Sequence, residues 1–245
     1  MKENQPLRNI NRVITMKKYN KIKKILFTAI CGGLFIPCQQ PHNVNDPLQV
    51  LCLGNSITKH PIKEDIEWFS DWGMAASNIE YDYCHQLEKM LCKYHPNSTV
   101  TPLNIASWER NLSCDIDSLI GSYCKNKDII IIRLGENVQD VTTFPDAISR
   151  LVKYCQSKAK RVIITGCFWK NDSKERSIIH AARTNDLTYV PLYWIDNLYN
   201  VRPQIGDTLY DINKKPYVIT QDFIITHPND EGMQMIAETI WGVIR

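Results

Sequence analysis

The sequence predicts an α/β fold: a parallel sheet of about five strands covered by helices on both faces, a three-layer α/β/α sandwich. Two observations carry this. Short apolar runs nearly continuous in Val, Ile and Leu have the pattern of strands buried on both sides, and they alternate with longer segments of helical periodicity, the arrangement that builds right-handed strand–helix–strand crossovers. Composition agrees: of 245 residues, 44% are hydrophobic and 22% charged, with 10 Gly and 12 Pro. Those values are ordinary for a globular domain and exclude collagen-like, low-complexity and disordered classes.

The apolar runs, in order, are Leu48–Leu53, Thr99–Ile105, Asp128–Leu134, Arg161–Phe168 and a weaker Leu187–Leu192. Between them, helices are expected over about 78–94, 114–124, 144–157 and 173–184. A last helix over about 230–243 opens on Asn229-Asp230-Glu231, whose side-chain oxygens suit free N–H groups and whose acids suit the helix dipole. Residues 193–221, rich in Tyr and Asp, read either as a long irregular connection or as a further strand and turn.

Charge is unevenly placed. Residues 1–24 hold eight of the 29 basic residues and one of the 26 acids, whereas residues 39–245 hold 21 basic and 25 acidic residues, a balance of −4. Such a body offers no general attraction for a polyphosphate backbone, so nucleic acid is not an expected partner. After the basic stretch comes a 12-residue apolar run, Ile25–Ile36, and then Pro37-Cys38-Gln39-Gln40. A cationic, an apolar and a polar part in succession have the layout of an export signal, and the run is shorter than the ~20 residues a spanning helix needs. Met16-Lys17-Lys18 is a more usual signal start than Met1. Cys38 resembles the acylated cysteine of bacterial lipoproteins; a cleaved soluble signal or a buried N-terminal helix is the alternative. The expected organisation is therefore an export segment over 1–38, a linker over 39–47 and one domain over 48–245. The expected location is periplasmic or at the cell surface, with membrane attachment only through that N-terminal lipid or signal.

The nine cysteines include no C-x-x-C pair, which argues against a zinc ribbon or a thioredoxin-type site. Cys52 and Cys167 sit in apolar runs and read as small core residues. No phosphate-binding glycine loop, H-E-x-x-H pair or dinucleotide fingerprint occurs.

In an open parallel sheet, ligands bind beyond the carboxyl ends of the strands, so the residues just after each run matter most. These are Gly54-Asn55-Ser56-Ile57-Thr58 after the first, Asn104-Ile105-Ala106-Ser107-Trp108-Glu109-Arg110-Asn111 after the second and Gly135-Glu136-Asn137 after the third, with Thr226-His227-Pro228-Asn229 before the last helix. Together they bring a hydroxyl, an imidazole, a carboxamide and backbone N–H groups to one edge, which suffices for acyl transfer. A serine hydroxyl needs an imidazole to take its proton, and the oxyanion of a tetrahedral intermediate needs donors fixed in advance. Ser56 and His227 fill the first need. Asn137 and the backbone N–H groups of Ser56 and the 106–109 turn fill the second, with Gly54 and Gly135 allowing sharp turns. Trp72, Trp108 and Trp169 could stack on a sugar ring, although large aromatics more often fill space between loops and core. Arg110 reads as a surface charge.

These blocks resemble those of the SGNH hydrolases, the GDSL-like esterase and lipase superfamily. Gly54-Asn55-Ser56-Ile57 is similar to the nucleophile block, with Asn55 where Asp is commoner. Gly135-Glu136-Asn137 is similar to the Gly-x-Asn block, and His227-Pro228-Asn229 with Gly232 to the last block. The resemblance spans roughly 54–232 and implies a flavodoxin-like sandwich and Ser/His ester hydrolysis through an acyl-enzyme, without metal or other cofactor. Two positions depart from the pattern. The orienting acid usually lies three residues before the histidine, where this chain has Ile224; Asp222 is a substitute, a backbone carbonyl holding the imidazole is another, and Glu136, beside Asn137, is a further nearby carboxylate. The oxyanion glycine of the second block falls on Glu109. The reading that follows is an exported serine esterase removing acyl groups, O-acetyl among them, from a small-molecule or glycan ester. A non-catalytic carbohydrate-binding protein of the same fold and a sugar O-acyltransferase stand beside it as alternatives.

Overall fold

The computed structural model describes residues 46–245. The expected export segment, the lipidation candidate Cys38 and most of the linker lie outside the described residues.

A five-stranded, all-parallel sheet forms the centre: β1 Gln49–Gly54, β2 Thr99–Asn104, β3 Lys127–Ile132, β4 Ala159–Thr165 and β5 Thr188–Val190, in the spatial order β2-β1-β3-β4-β5. This is the flavodoxin-like doubly wound order. The register pairs Gly54 with Asn104 and Leu53 with Ile132, so β1 lies between its two partners along its length. β2 is an edge strand, which explains how it tolerates Pro102, a residue with no N–H for a second ladder.

Strand alternation divides the core into two layers. Leu51, Leu53, Ile130, Ile132, Val162 and Ile164 join one cluster with buried side chains of α3 Ile116–Ile120, α4 Phe144–Gln156 and α5 Asp172–Thr184. Val50, Cys52, Ile129, Ile131 and Ile163 are buried toward the other side, where α1 Tyr83–Cys92 packs against α6 Asp230–Ile244. Each fully buried aliphatic side chain of this kind contributes ~1.5–3 kcal/mol. Four of the helices start where a side-chain oxygen meets a free N–H. Asp82 caps α1, Asp115 α3, Asn171 α5 and Asn229 α6.

Several expected boundaries move. The helix expected over 78–94 is a short 3₁₀ turn, Ile79–Tyr81, followed by α1, because Asp82 is extended and caps the second piece. A short helix, α2 Ala106–Arg110, follows β2 directly. Residues 193–221 hold a 3₁₀ turn, Ile195–Asn197, and an antiparallel hairpin of β6 Thr208–Tyr210 with β7 Pro216–Val218. That hairpin is tied to the segment that follows the turn after β1, since Tyr210 N–H donates to Ser77 O at 2.9 Å and Ser70 Oγ donates to Tyr210 O at 2.8 Å.

Candidate active site

The order 2-1-3-4-5 reverses between β1 and β3, and a crevice opens where crossovers leave in opposite directions. The turn after β1 carries Ser56 and the turn after β3 carries Glu136 and Asn137, so two of the sequence blocks meet there by topology alone.

Gly54 ends β1 because nothing larger fits: a Cβ there would lie 1.8 Å from Thr58 Oγ1 and 3.2 Å from Arg133 O. The chain then turns tightly, with the Thr58 and Lys59 N–H groups both donating to Asn55 O, and lifts Ser56 out of the core, where it is half-buried. Ser56 O accepts the Met74 N–H at 2.8 Å, while the Ser56 N–H has no partner among the described residues.

His227 arrives from the opposite side. Its Nε2 lies 2.9 Å from Ser56 Oγ. Its Nδ1 lies 2.9 Å from Phe223 O, with Thr226 Oγ1 at 3.3 Å. A carbonyl can only accept, so Nδ1 carries the proton and Nε2 is left to accept from the serine. The histidine loop is pinned at several points. Asn229 N–H donates to Val201 O and its side chain to Asn200 O, both at 2.9 Å, and Gly232 lets α6 approach Val201, where a Cβ would meet a carbonyl at 2.6 Å. Trp169 donates its indole N–H to Thr226 O at 2.9 Å and stands edge-on to the imidazole, with centroids 5.2 Å apart. Burial holds the imidazole at about 4, against the raising effect of the Phe223 carbonyl.

Asp222 is not the partner of the imidazole in this structure. Its side chain is exposed, and the contacts of His227 Nδ1 go to Phe223 and Thr226 instead. The short 3₁₀ turn Ile224–Thr226 folds the chain so that a main-chain oxygen fills the place an acid would hold. Ile224, at the usual position of that acid, is buried.

Beneath the serine lies a charged network that the sequence motifs mark only in part. Arg133, fully buried, donates to Glu136 Oε1 at 2.7 Å, to Asn55 Oδ1, and to Thr58 Oγ1 at 3.4 Å. Asn55 Nδ2 returns to Glu136 Oε2 at 2.7 Å and to Glu109 Oε1 at 3.3 Å. Phe168 N–H donates to Glu136 Oε1 at 2.9 Å. Burial raises the Glu136 carboxyl, but the Arg133 charge and these N–H donors outweigh it and leave it below its usual range. A charge directly after Ile129–Ile132 was the signal for Arg133: at the end of a buried strand it needs partners.

Glu109, on α2, is 1% exposed. It accepts from Gly135 N–H at 2.6 Å, from Asn137 Nδ2 at 2.6 Å and from Asn137 N–H at 3.3 Å. Burial and the neighbouring Glu136 charge push its carboxyl above the usual range, against the Asn137 and Gly135 donors. Asn137 is thus linked to the serine turn through Glu109, which also accepts from Asn55, and among the described residues one of its two amide protons is engaged. Glu109 was expected as a backbone donor; the contacts seen here are those of its side chain with Gly135 and Asn137. Ala106 departs from expectation: its N–H is taken by Asn104 Oδ1 at 2.9 Å and so is not free for an oxyanion. Gly54 acts through its lack of a side chain rather than as a donor. Gly135, at φ +136° and with Cys167 Sγ 2.6 Å from where a Cβ would be, has to be glycine.

Of the tryptophans, Trp72 and Trp108 are buried, and only Trp169 stands partly exposed beside the imidazole. Arg110 is exposed. Among the described residues no cluster of three or more His, Cys, Asp and Glu is arranged to hold a metal ion, and the seven cysteines that lie within the described residues are free. The arrangement holds a hydroxyl against an imidazole whose tautomer is fixed by a main-chain carbonyl.

The chain has an SGNH hydrolase-like α/β fold. No protein-family model matches it and no curated protein matches it, but solved structures do. LAE5, an alpha/beta hydrolase enzyme from the metagenome of Lake Arreo, is 13% identical, with a TM-score of 0.55 over 80% of this chain and 94% of that one. Axe2, an acetylxylan esterase from Geobacillus stearothermophilus, is 14% identical with a TM-score of 0.54 over the same shares. A putative lipolytic protein of the G-D-S-L family from Desulfitobacterium hafniense is 14% identical with a TM-score of 0.50, over 80% of this chain and 98% of that one.

Proposed function

We propose that this protein is a metal-independent ester hydrolase that works through a Ser56–His227 dyad and an acyl-enzyme, removing ester-linked acyl groups, O-acetyl among them, from carbohydrate. The 2.9 Å contact between Ser56 Oγ and His227 Nε2 carries the reading. The solved neighbours that are esterases, an acetylxylan esterase among them, support the reaction class and the substrate class by analogy. Export, and a lipid at Cys38, enter the proposal from the sequence alone.

The geometry supports the following sequence. His227 Nε2 takes the Ser56 proton as Oγ attacks the acyl carbonyl carbon. The carbonyl electron pair moves onto oxygen, where the Ser56 N–H and the second Asn137 amide proton can meet it. The imidazolium, held by Phe223 O, then gives its proton to the leaving alcohol oxygen as the C–O bond breaks. Water repeats the cycle on the acyl-serine, with His227 again as base and then acid. Because a carbonyl rather than a carboxylate faces Nδ1, the imidazolium is stabilised by a hydrogen bond and not by a full charge.

The test is hydrolysis of p-nitrophenyl acetate and labelling by a fluorophosphonate. Ser56→Ala should abolish both while leaving the fold intact. Unchanged turnover in that variant would overturn the assignment of the nucleophile. A folded wild-type protein that neither turns over nor labels would favour a binding role for the same cleft.

A further inference from the structure

We infer that Glu109 is a positioning residue for this chemistry: its carboxylate fixes the Asn137 amide and the turn from Gly135 to Asn137, so that the second amide proton of Asn137 faces the site of the developing oxyanion. The inference rests on the ester-hydrolase reading and goes beyond it.

An asparagine amide turns easily, because its terminal torsion is broad and roughly two-fold. A donor meant for an oxyanion must instead be held in place before the reaction. In this structure the restraint comes from one carboxylate. Glu109 Oε2 takes one Asn137 Nδ2 proton at 2.6 Å, a charge-assisted bond, and the plane of the amide then determines where the other proton points. Glu109 Oε1 takes the Gly135 N–H at 2.6 Å and the Asn137 N–H at 3.3 Å. One side chain therefore grips both ends of the turn and the side chain that projects from it. The turn needs that grip, since Gly135 is in a positive-φ conformation that its neighbours do not enforce by helix or strand pairing.

The carboxylate is itself fixed. It is 1% exposed, sits on the short helix directly after β2, and takes a fourth N–H from Asn55 at 3.3 Å. Asn55 is oriented by Arg133, which donates to its Oδ1, so its amide nitrogen has to face Glu109 and Glu136. All four groups on Glu109 are donors, which requires an acceptor at both oxygens. Glutamine has only one. A carboxylate near a developing oxyanion works against it, and the buried Arg133 guanidinium, linked through Asn55 and Glu136, supplies the opposing charge.

The experiment is a double-mutant cycle on p-nitrophenyl acetate hydrolysis with Glu109→Gln, Asn137→Ala and the pair, each checked by thermal melting. Glu109→Gln should lower kcat about 10²-fold, the loss typical of one oxyanion donor, with KM within about threefold. If Glu109 acts through Asn137, the double variant should be no slower than Asn137→Ala alone, within about threefold. Losses that multiply, or a glutamine variant with wild-type kcat, overturn the inference. Should the glutamine variant not fold, Glu109→Asp keeps the charge but shortens the reach, and an aspartate variant with full kcat overturns it equally. Ser56→Ala separates this outcome from failure of the underlying reading. If that variant is silent and Glu109→Gln is unimpaired, only the positioning role falls; if Ser56→Ala still turns over, the ester-hydrolase mechanism falls.

Discussion

In the proposed dyad His227 leans on a main-chain carbonyl, and that arrangement sets what each neighbouring substitution should cost. Phe223 O is present whatever side chain occupies 222 or 224, so Asp222→Ala should leave kcat/KM within about threefold, while His227→Ala should cost about 10³-fold or more. Equal losses in p-nitrophenyl acetate assays would instead mean that Asp222 orients the imidazole. Burial places the imidazole at about 4, so the proposed base is neutral above that value in the free protein. On this reading kcat/KM should stay level as pH falls from 7 and halve near pH 4, without a limb near 6.5. Ser56, His227 and Asn137 were legible in the sequence because each is a side chain with a chemical task at the end of a predicted element. The partner of His227 was not, since a carbonyl is common to every residue and only the 3₁₀ turn Ile224–Thr226 selects this one. Glu109 was legible as a departure from the family pattern, but its side-chain contacts with Gly135 and Asn137 depend on a helix, α2, too short to leave a periodic signal.

The strands and long helices were visible because their side-chain periods repeat over several residues, and their observed bounds differ from expectation by a few residues at the ends. Those few residues matter: Arg133 and Phe168 fall beyond β3 and β4 and reach Glu136 in the network beneath Ser56, while the Arg133 and Gly166 N–H groups still donate to Leu53 O and Val190 O of the neighbouring strands. The short hairpin β6–β7 escaped because three-residue strands carry too few alternations to read. Helix α5 supports one prediction of its own. Glu175 points from it into the end of β4, where Tyr189 O–H and the Cys167 N–H donate to its two oxygens. Burial raises this carboxyl from 4.5 to about 7. Between those values the folded chain keeps a proton that the unfolded chain releases, so this contribution to stability is full below 4.5 and lost as pH rises through 7. Glu175→Gln, neutral at every pH but able to accept at one oxygen only, carries a pH-independent cost, so its Tm relative to the parent should be higher at pH 8 than at pH 5 by at least about 2–4 °C, the shift expected for 1 kcal/mol in a chain of this size. The same shift at both values in thermal melts would show that the effect is packing and not titration.

At the scale of the whole molecule, the sheet order itself makes the site: β1 and β3 are neighbours although β2 separates them in sequence, so the turns that carry Ser56 and Asn137 come to one edge only after two crossovers have formed. No local pattern encodes that pairing, although the order of the motifs along the chain is consistent with it. The closure that brings His227 to Ser56 also strips the imidazole of water, which couples the site to the stability of the fold. Unfolded, the histidine titrates near 6.5; folded, near 4. The unfolded state therefore binds more protons between those values, and this contribution to stability, complete above 6.5, drains away as pH falls to 4. The difference of about 2.5 pKa units corresponds to about 3 kcal/mol, a large share of the ~5–15 kcal/mol that holds a typical domain. His227→Asn abolishes the titration. Whatever it costs in lost contacts near pH 7.5, that cost should shrink or reverse at pH 4.5, and the difference between the two pH values is the quantity to measure in denaturant unfolding. A variant whose deficit is the same at both values would show that His227 is protonated in the fold as readily as in the unfolded chain, and would remove the physical basis for a neutral base poised against Ser56.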